Sequence, residues 1–303
     1  YVADGQVTFY KNNTSQGTCG SAFTTQCFAT TQNANAATVW DLNFGQKSFT
    51  YTPPTDALAL NTANLTKPTV TKPSNHFKAI IYEGTGAELS TGDTGVEALD
   101  FQPDWVWIKN RDADDSHMLY DSVRGETKDL HTDRADTETT TAQTLKSFDA
   151  NGFTLGTDVQ VNTLNESYVA FCLEAGTSWS ESSFGSNGLA SSGKKSSTHN
   201  FSIVSWTHRT SANYAIKHNL GTTPEFFITK SRGQGLNWSS WHKDFADTAK
   251  RFWINESVAE SASYWADASD SADGTGAYAD ISSGESPVTS TLFALQDGEA
   301  TGA

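Results

Sequence analysis

Charge is scarce in this 303-residue chain: Asp, Glu, Lys and Arg together make up 18% of it, and 20 basic residues stand against 35 acidic ones. A helical bundle draws on abundant Glu and Lys, so the shortage argues against that class. The formal net charge of −15 excludes general nucleic-acid binding and adsorption to anionic membranes, because such a surface repels phosphate. No apolar run is long enough to span a bilayer. Only three cysteines occur, Cys19, Cys27 and Cys172, and their spacing matches no zinc-ligand pattern. Gly-x-Ser-x-Gly, His-Glu-x-x-His and phosphate-cradling loops are missing too, which removes the common hydrolase, zinc-protease and nucleotide signatures.

Polarity comes instead from Thr, Ser, Asn, Gln and Gly, the residues of short strands and frequent turns. Aromatics reach 12%, with nine Trp, and predict packed β-sandwiches, sugar-stacking surfaces, or both. The length suits two or three domains. The fold class expected is all-β, built of tandem antiparallel β-sandwich modules, since nothing in the pattern supplies the helical crossovers that parallel sheets need.

Strand signals recur along the chain. Alternation over residues 6–11 is followed by the turn pair Asn12-Asn13, and residues 38–45 alternate again. Pro53-Pro54 ends any sheet there. Residues 77–82, 101–109, 118–121, 147–155 and 167–173 read as further strands. The pattern then returns: 201–206 matches 77–82, and Thr223-Pro224-Glu225-Phe226-Phe227-Ile228-Thr229-Lys230 matches Gln102-Pro103-Asp104-Trp105-Val106-Trp107-Ile108-Lys109. Residues 291–295 are matched to 152–155, which leaves the second copy without a partner for 167–173. These blocks predict two copies of one module of about 100 residues. The division expected is 1–66, a linker 67–76, module one at 77–179, a Ser/Gly-rich linker 180–200 and module two at 201–303. The ends predict a segment cut from a longer polypeptide.

Val7-Thr8-Phe9-Tyr10-Lys11-Asn12, Asn43-Phe44-Gly45-Gln46-Lys47-Ser48-Phe49-Thr50-Tyr51-Thr52-Pro53-Pro54 and Leu60-Asn61-Thr62-Ala63-Asn64-Leu65 resemble the end of a SPRY-type, concanavalin-like sandwich in tailed-phage structural proteins. The 102–111 block, Tyr120-Asp121-Ser122-Val123-Arg124-Gly125 and Ser167-Tyr168-Val169-Ala170-Phe171-Cys172 resemble a repeated module of those proteins, common in phages of marine bacteria and cyanobacteria. The resemblance implies a non-enzymatic, structural virion protein, a tail fibre or other appendage on the virion surface, assembled in the host cytoplasm. Its partners would be itself, as a homotrimer, other tail proteins and a host cell-surface glycan. No nucleic-acid or membrane partner is expected. The competing readings are a tail-associated polysaccharide-degrading enzyme and a cellular surface adhesin.

The candidate ligand-binding residues are Trp238, Trp241, Trp253 and Trp265, as a sugar-stacking platform, with sandwich core as the other reading. No catalytic residue, cofactor or metal is assigned. Asp112, Asp114 and Asp115, and then Asp267, Asp270, Asp273 and Asp280, crowd two loops that suit either Ca²⁺ or solvent, without EF-hand spacing. His117, His208, His218 and His242 read as structural histidines or ligand contacts. Lys109, Arg111, Lys230 and Arg232 read as strand-end ion-pair partners. Cys172 reads as a buried free thiol, and Cys19 with Cys27 as a pair that oxidation could close.

Overall fold

The computed structural model describes residues 2–3, 6–19, 41–53, 59, 64, 70–182, 188–207, 215–220, 224–245, 250–259, 261–262, 275–278 and 289–295. The chain divides into two compact units, Tyr1–Pro68 and Thr69–Ala303. It is all-β. The α-helix among the described residues is the single turn Val159–Asn162, and every paired ladder is antiparallel.

In the first unit, Val2–Ala3, Gln6–Lys11 and Thr14–Cys19 form a three-stranded meander. Asn12 and Asn13 turn its hairpin with φ of 49° and 62°, the left-handed pair that matches strand twist and that Asn tolerates. Residues 41–45 are not a strand, despite their alternation. The Asn43 side-chain oxygen accepts the N–H of Gly45 and of Lys47, which bends the chain, and Gly45 takes φ 101°. Thr38, Val39, Trp40 and Cys27 lie outside the described residues.

The second unit carries the same sheet twice. A six-stranded sheet runs Phe77–Glu83, Ser167–Leu173, Trp105–Asn110, Met118–Asp121, Lys128–His131, Thr139–Thr140. An eight-stranded sheet repeats that order as Phe201–Thr207, Thr289–Leu295, Phe226–Ser231, Ser239–His242, Lys250–Trp253, Ser261–Ala262. Leu173 pairs with both Phe77 and Trp105, and Leu295 pairs with both Phe201 and Phe226. Thr289–Leu295 is therefore the counterpart of Ser167–Leu173, not of 152–155. The place of Gly152–Leu155, opposite Leu89–Ser90, is taken by Thr275–Tyr278 opposite Ala215–Lys217.

Two further strands, Thr177–Glu181 and Ser191–Ser196, extend the eight-stranded sheet beyond Phe201–Thr207. They fall in and beside the stretch read as a Ser/Gly-rich linker. Gly193 shows why that composition pairs: a Cβ there would lie 1.9 Å from the Ile203 carbonyl oxygen, so only glycine permits the approach.

Three apolar clusters lie on the faces of these sheets. Ile80, Val106, Ile108, Tyr168, Ala170 and Cys172 of the six-stranded sheet pack against Leu89, Leu145, Phe153 and Leu155 of the small sheet beside it. Val204, Trp206, Phe227 and Trp241 pack against Leu189 and Ile216 on the second sheet. The third cluster takes Leu119 and Leu130 from one module and Phe201, Ile203 and Trp238 from the other. The two modules thus share a core and are not beads on a linker.

Candidate functional site

The faces that meet in the shared core are set by register. Phe77, Leu173 and Trp105 stand side by side, with Ala79, Phe171 and Trp107 in the next row. Their alternation with buried Ile80, Cys172 and Val106 puts all of them on the side away from the first module's own core. In the second module Phe201 and Phe226 face the same way, with Ile203 and Ile228 one row on. The faces close over Leu119, Phe201 and Trp238 but leave a groove of about 290 Å³ toward the Phe77 edge. Phe77, Trp105, Trp107, Phe171 and Leu173 line it from one sheet, and Phe201, Phe226 and Ile228 from the other. Phe77 is 47% exposed. Trp107 packs between Trp105, Phe171 and the His117 ring, and its indole N–H is buried without a hydrogen-bond acceptor.

Next to Phe77 and Leu173 in sequence, and two residues before Phe201, stand three groups that no spacing rule marks: His76, Glu174 and His199. Glu174 N–H donates to the His76 carbonyl at 2.9 Å, one step beyond the ladder pair Leu173–Phe77. Its own carbonyl accepts His199 Nε2–H at 2.5 Å. Its carboxylate Oε2 is 3.0 Å from His76 Nδ1 and 3.8 Å from His199 Nδ1. The two imidazole centroids are 4.8 Å apart. Burial lowers the His199 pKa, outweighing the Glu174 carbonyl and carboxylate, which raise it. All three residues are half-buried, so the cluster keeps an open side. Burial can hide a histidine from solvent, but only long-range pairing brings residues 98 and 25 positions apart to one point.

Ion pairs tie the modules around this junction. Asp104, 3% exposed, accepts Lys194 Nζ at 2.6 Å, Ser122 Oγ at 2.6 Å and the N–H groups of Ala175 and Gly176. Arg232 forks onto Glu138. Lys230 is buried, and its ammonium donates to the carbonyls of Ala135, Ser231 and Gln234. Burial pushes its pKa down to about 8, although the Asp136 charge acts the other way. Lys109 likewise donates to the Ala113 carbonyl. Of the cations read as ion-pair partners, Arg232 holds a carboxylate, while both lysines hold backbone oxygens.

Two of the four tryptophans read as a sugar-stacking platform, Trp238 and Trp241, are core residues. Trp238 is fully buried in the shared core, with Nε1–H donating to the His131 carbonyl at 2.7 Å. Trp241 is 3% exposed and stacks on Phe227 at 5.3 Å. Neither ring offers a face to a sugar, because each fills sheet-on-sheet packing. Trp253 is half-buried, and Trp265 lies outside the described residues. Asp112 and Asp115 close the loop internally, accepting Ser167 N–H and the Asn110 amide. The second acidic loop and His208 lie outside the described residues. His218 is buried, and His242 faces Asp244 at 3.7 Å. Cys172 is a buried free thiol.

Fold and junction together define an all-β protein of two like modules fused through one aromatic core. The chain belongs to the family described as Domain of unknown function (DUF7483), whose model matches residues 72–294. That match opens just before His76 and runs into the strand Thr289–Leu295, so the family unit is the fused pair and includes His76, Glu174 and His199. No curated protein and no solved structure matches the chain.

Proposed function

We propose that this two-module body is a structural, non-enzymatic part of a tailed-phage appendage, a fibre or related surface element that contributes to host attachment. The observation that carries the reading is the shared core: two sheets with a common six-strand order buried against each other and cross-linked by Arg232–Glu138 and Asp104–Lys194. A stiff pair of modules holds a fixed span under strain, which is what an appendage asks of its shaft. The sequence blocks that resemble phage modules supply the virion context. Assembly as a homotrimer would multiply weak contacts with a cell-surface glycan through effective concentration, so no single site has to bind tightly.

The test uses the purified chain. Sedimentation is expected to give the mass of three chains, and incubation with host cells a saturable, multivalent adsorption. Host polysaccharide is expected to survive with no new reducing ends. Steady release of reducing ends would instead establish the polysaccharide-degrading enzyme, and a monomer without adsorption would remove the attachment role.

A further inference from the structure

We propose that His76, Glu174 and His199 form a site for a divalent transition-metal ion that staples the two modules together. The inference does not rest on the appendage reading. Among the described residues this is the one group of three or more His, Cys, Asp or Glu whose donor atoms all lie within 4.8 Å of one another.

The tautomers favour a metal. The Glu174 carbonyl can only accept, so the proton of neutral His199 sits on Nε2 and the lone pair on Nδ1. A metal-bound histidine commonly donates its second ring N–H to a backbone carbonyl in this way. His199 Nδ1 lies 3.8 Å from Glu174 Oε2, so a nitrogen lone pair and a carboxylate oxygen stand beside each other. The Ser196 hydroxyl donates to Nδ1 at 2.8 Å in the metal-free arrangement and rotates aside when the ion enters. His76 Nδ1, 3.0 Å from the same Oε2, carries the proton it donates there. Moving that proton to Nε2 through solvent frees Nδ1 as the second nitrogen ligand.

Distances and chemistry agree on the class of ion. Ligand bonds of about 2.0 Å at tetrahedral angles place donor atoms about 3.3 Å apart. The two Glu174–histidine separations of 3.0 and 3.8 Å bracket that value and all three donors lie within 4.8 Å of one another, so side-chain rotations that draw the two imidazoles together close the site. Two imidazoles select a borderline ion such as Zn²⁺, Co²⁺ or Ni²⁺ over Ca²⁺ or Mg²⁺, which take oxygen ligands. Three protein donors and an open side leave room for water as the remaining ligand. His76 precedes the first module's edge strand Phe77–Glu83, Glu174 follows the adjacent strand Ser167–Leu173, and His199 precedes the second module's Phe201–Thr207. One ion therefore bridges the junction at the mouth of the aromatic groove.

The experiment is calorimetric titration of the full chain with ZnCl₂, paired with Co²⁺ absorption spectra and thermal melting. One ion per chain, micromolar or tighter affinity, the visible bands of a four- or five-coordinate cobalt site and a raised melting temperature are expected. His76→Gln, Glu174→Gln and His199→Gln should each weaken binding by about tenfold or more. His242→Gln, at a partly exposed histidine elsewhere, should leave it unchanged. Where a variant fails to fold, the wild-type cobalt spectrum decides alone. Absence of saturable Zn²⁺ binding, a purely six-coordinate cobalt spectrum, or equal affinity in the His76→Gln/His199→Gln double variant overturns the proposal.

Discussion

Arg232 of the second module holds Glu138 of the first in a two-pronged hydrogen bond, Nε to Oε2 at 2.7 Å and Nη2 to Oε1 at 2.8 Å. The Arg124 guanidinium reaches the same carboxylate at 3.3 Å. Burial alone would raise the Glu138 pKa. The Arg232 hydrogen bond and the two guanidinium charges outweigh it, so the carboxyl is held below its ordinary value. The contribution is thus present above the usual Glu pKa and lost as the pH falls below it.

Arg232→Ala should lower stability by about 2–3 kcal/mol, since it strips a mostly buried carboxylate of its best partner. Arg232→Lys should recover little, because one ammonium cannot supply two parallel N–H donors. Urea denaturation of the three proteins measures both. A loss below about 0.5 kcal/mol for the Ala variant would place the fork among exposed pairs of small worth.

The strands read at 77–82, 101–109 and 167–173 are legible because apolar alternation is local, although the second begins only at Trp105, and so is the hairpin at Asn12-Asn13. The counterpart of 167–173 is not. Residues 291–295 and 152–155 are both short apolar runs, and what separates them is which strands they pair with, decided by Leu295 lying between Phe201 and Phe226. Leu42 and Phe44 alternate as a strand would, yet Asn43 spends its side chain on a turn. Trp238 and Trp241 look alike on paper whether they face sugar or core. The shared core depends on a second face of each sheet, and alternation gives no sign of what covers that face. His76, Glu174 and His199 are brought together only by pairing between distant strands.

His218 should make stability fall on the acid side. It is 1% exposed, and its Nδ1 accepts Leu220 N–H at 3.3 Å, which requires the neutral ring. Burial pushes its pKa down to about 4, against about 6.5 in an unfolded chain. Between those values the unfolded chain takes up a proton that the native protein refuses. Stability present above pH 6.5 is therefore lost toward pH 4, by ~3 kcal/mol. Denaturation midpoints of wild type and His218→Asn across pH 4 to 7 check it. The variant's curve should be flatter over that window, and parallel curves would count against a neutral buried ring.

Trp238→Ala should cost about 3–5 kcal/mol by opening the shared core. Trp238→Phe keeps most of the packing but leaves the His131 carbonyl without its 2.7 Å donor, at about 1–3 kcal/mol. Melting temperatures should fall in that order. A variant that melts like wild type yet loses glycan adsorption would return this ring to the surface.

Cys172 reports whether the two modules open together. Its thiol is fully buried on the strand Ser167–Leu173, which is paired on both edges, so exposing it requires breaking two ladders. Burial pushes its pKa up to about 12, with only the Lys78 charge opposing, and the thiolate that alkylating agents need is absent at pH 8. Iodoacetamide labelling of the Cys172 peptide, read by mass spectrometry, should be at least about a thousandfold slower in the native protein than in denaturant, since a domain of ordinary stability opens that rarely. Arg232→Ala then separates two kinds of opening. Arg232 lies in the second module and Cys172 in the first. If the shared core makes them one cooperative body, the variant should accelerate Cys172 labelling by the same factor by which it lowers the unfolding equilibrium. If the modules open independently, Cys172 labelling should not change, and the fused-pair reading of the junction would fall.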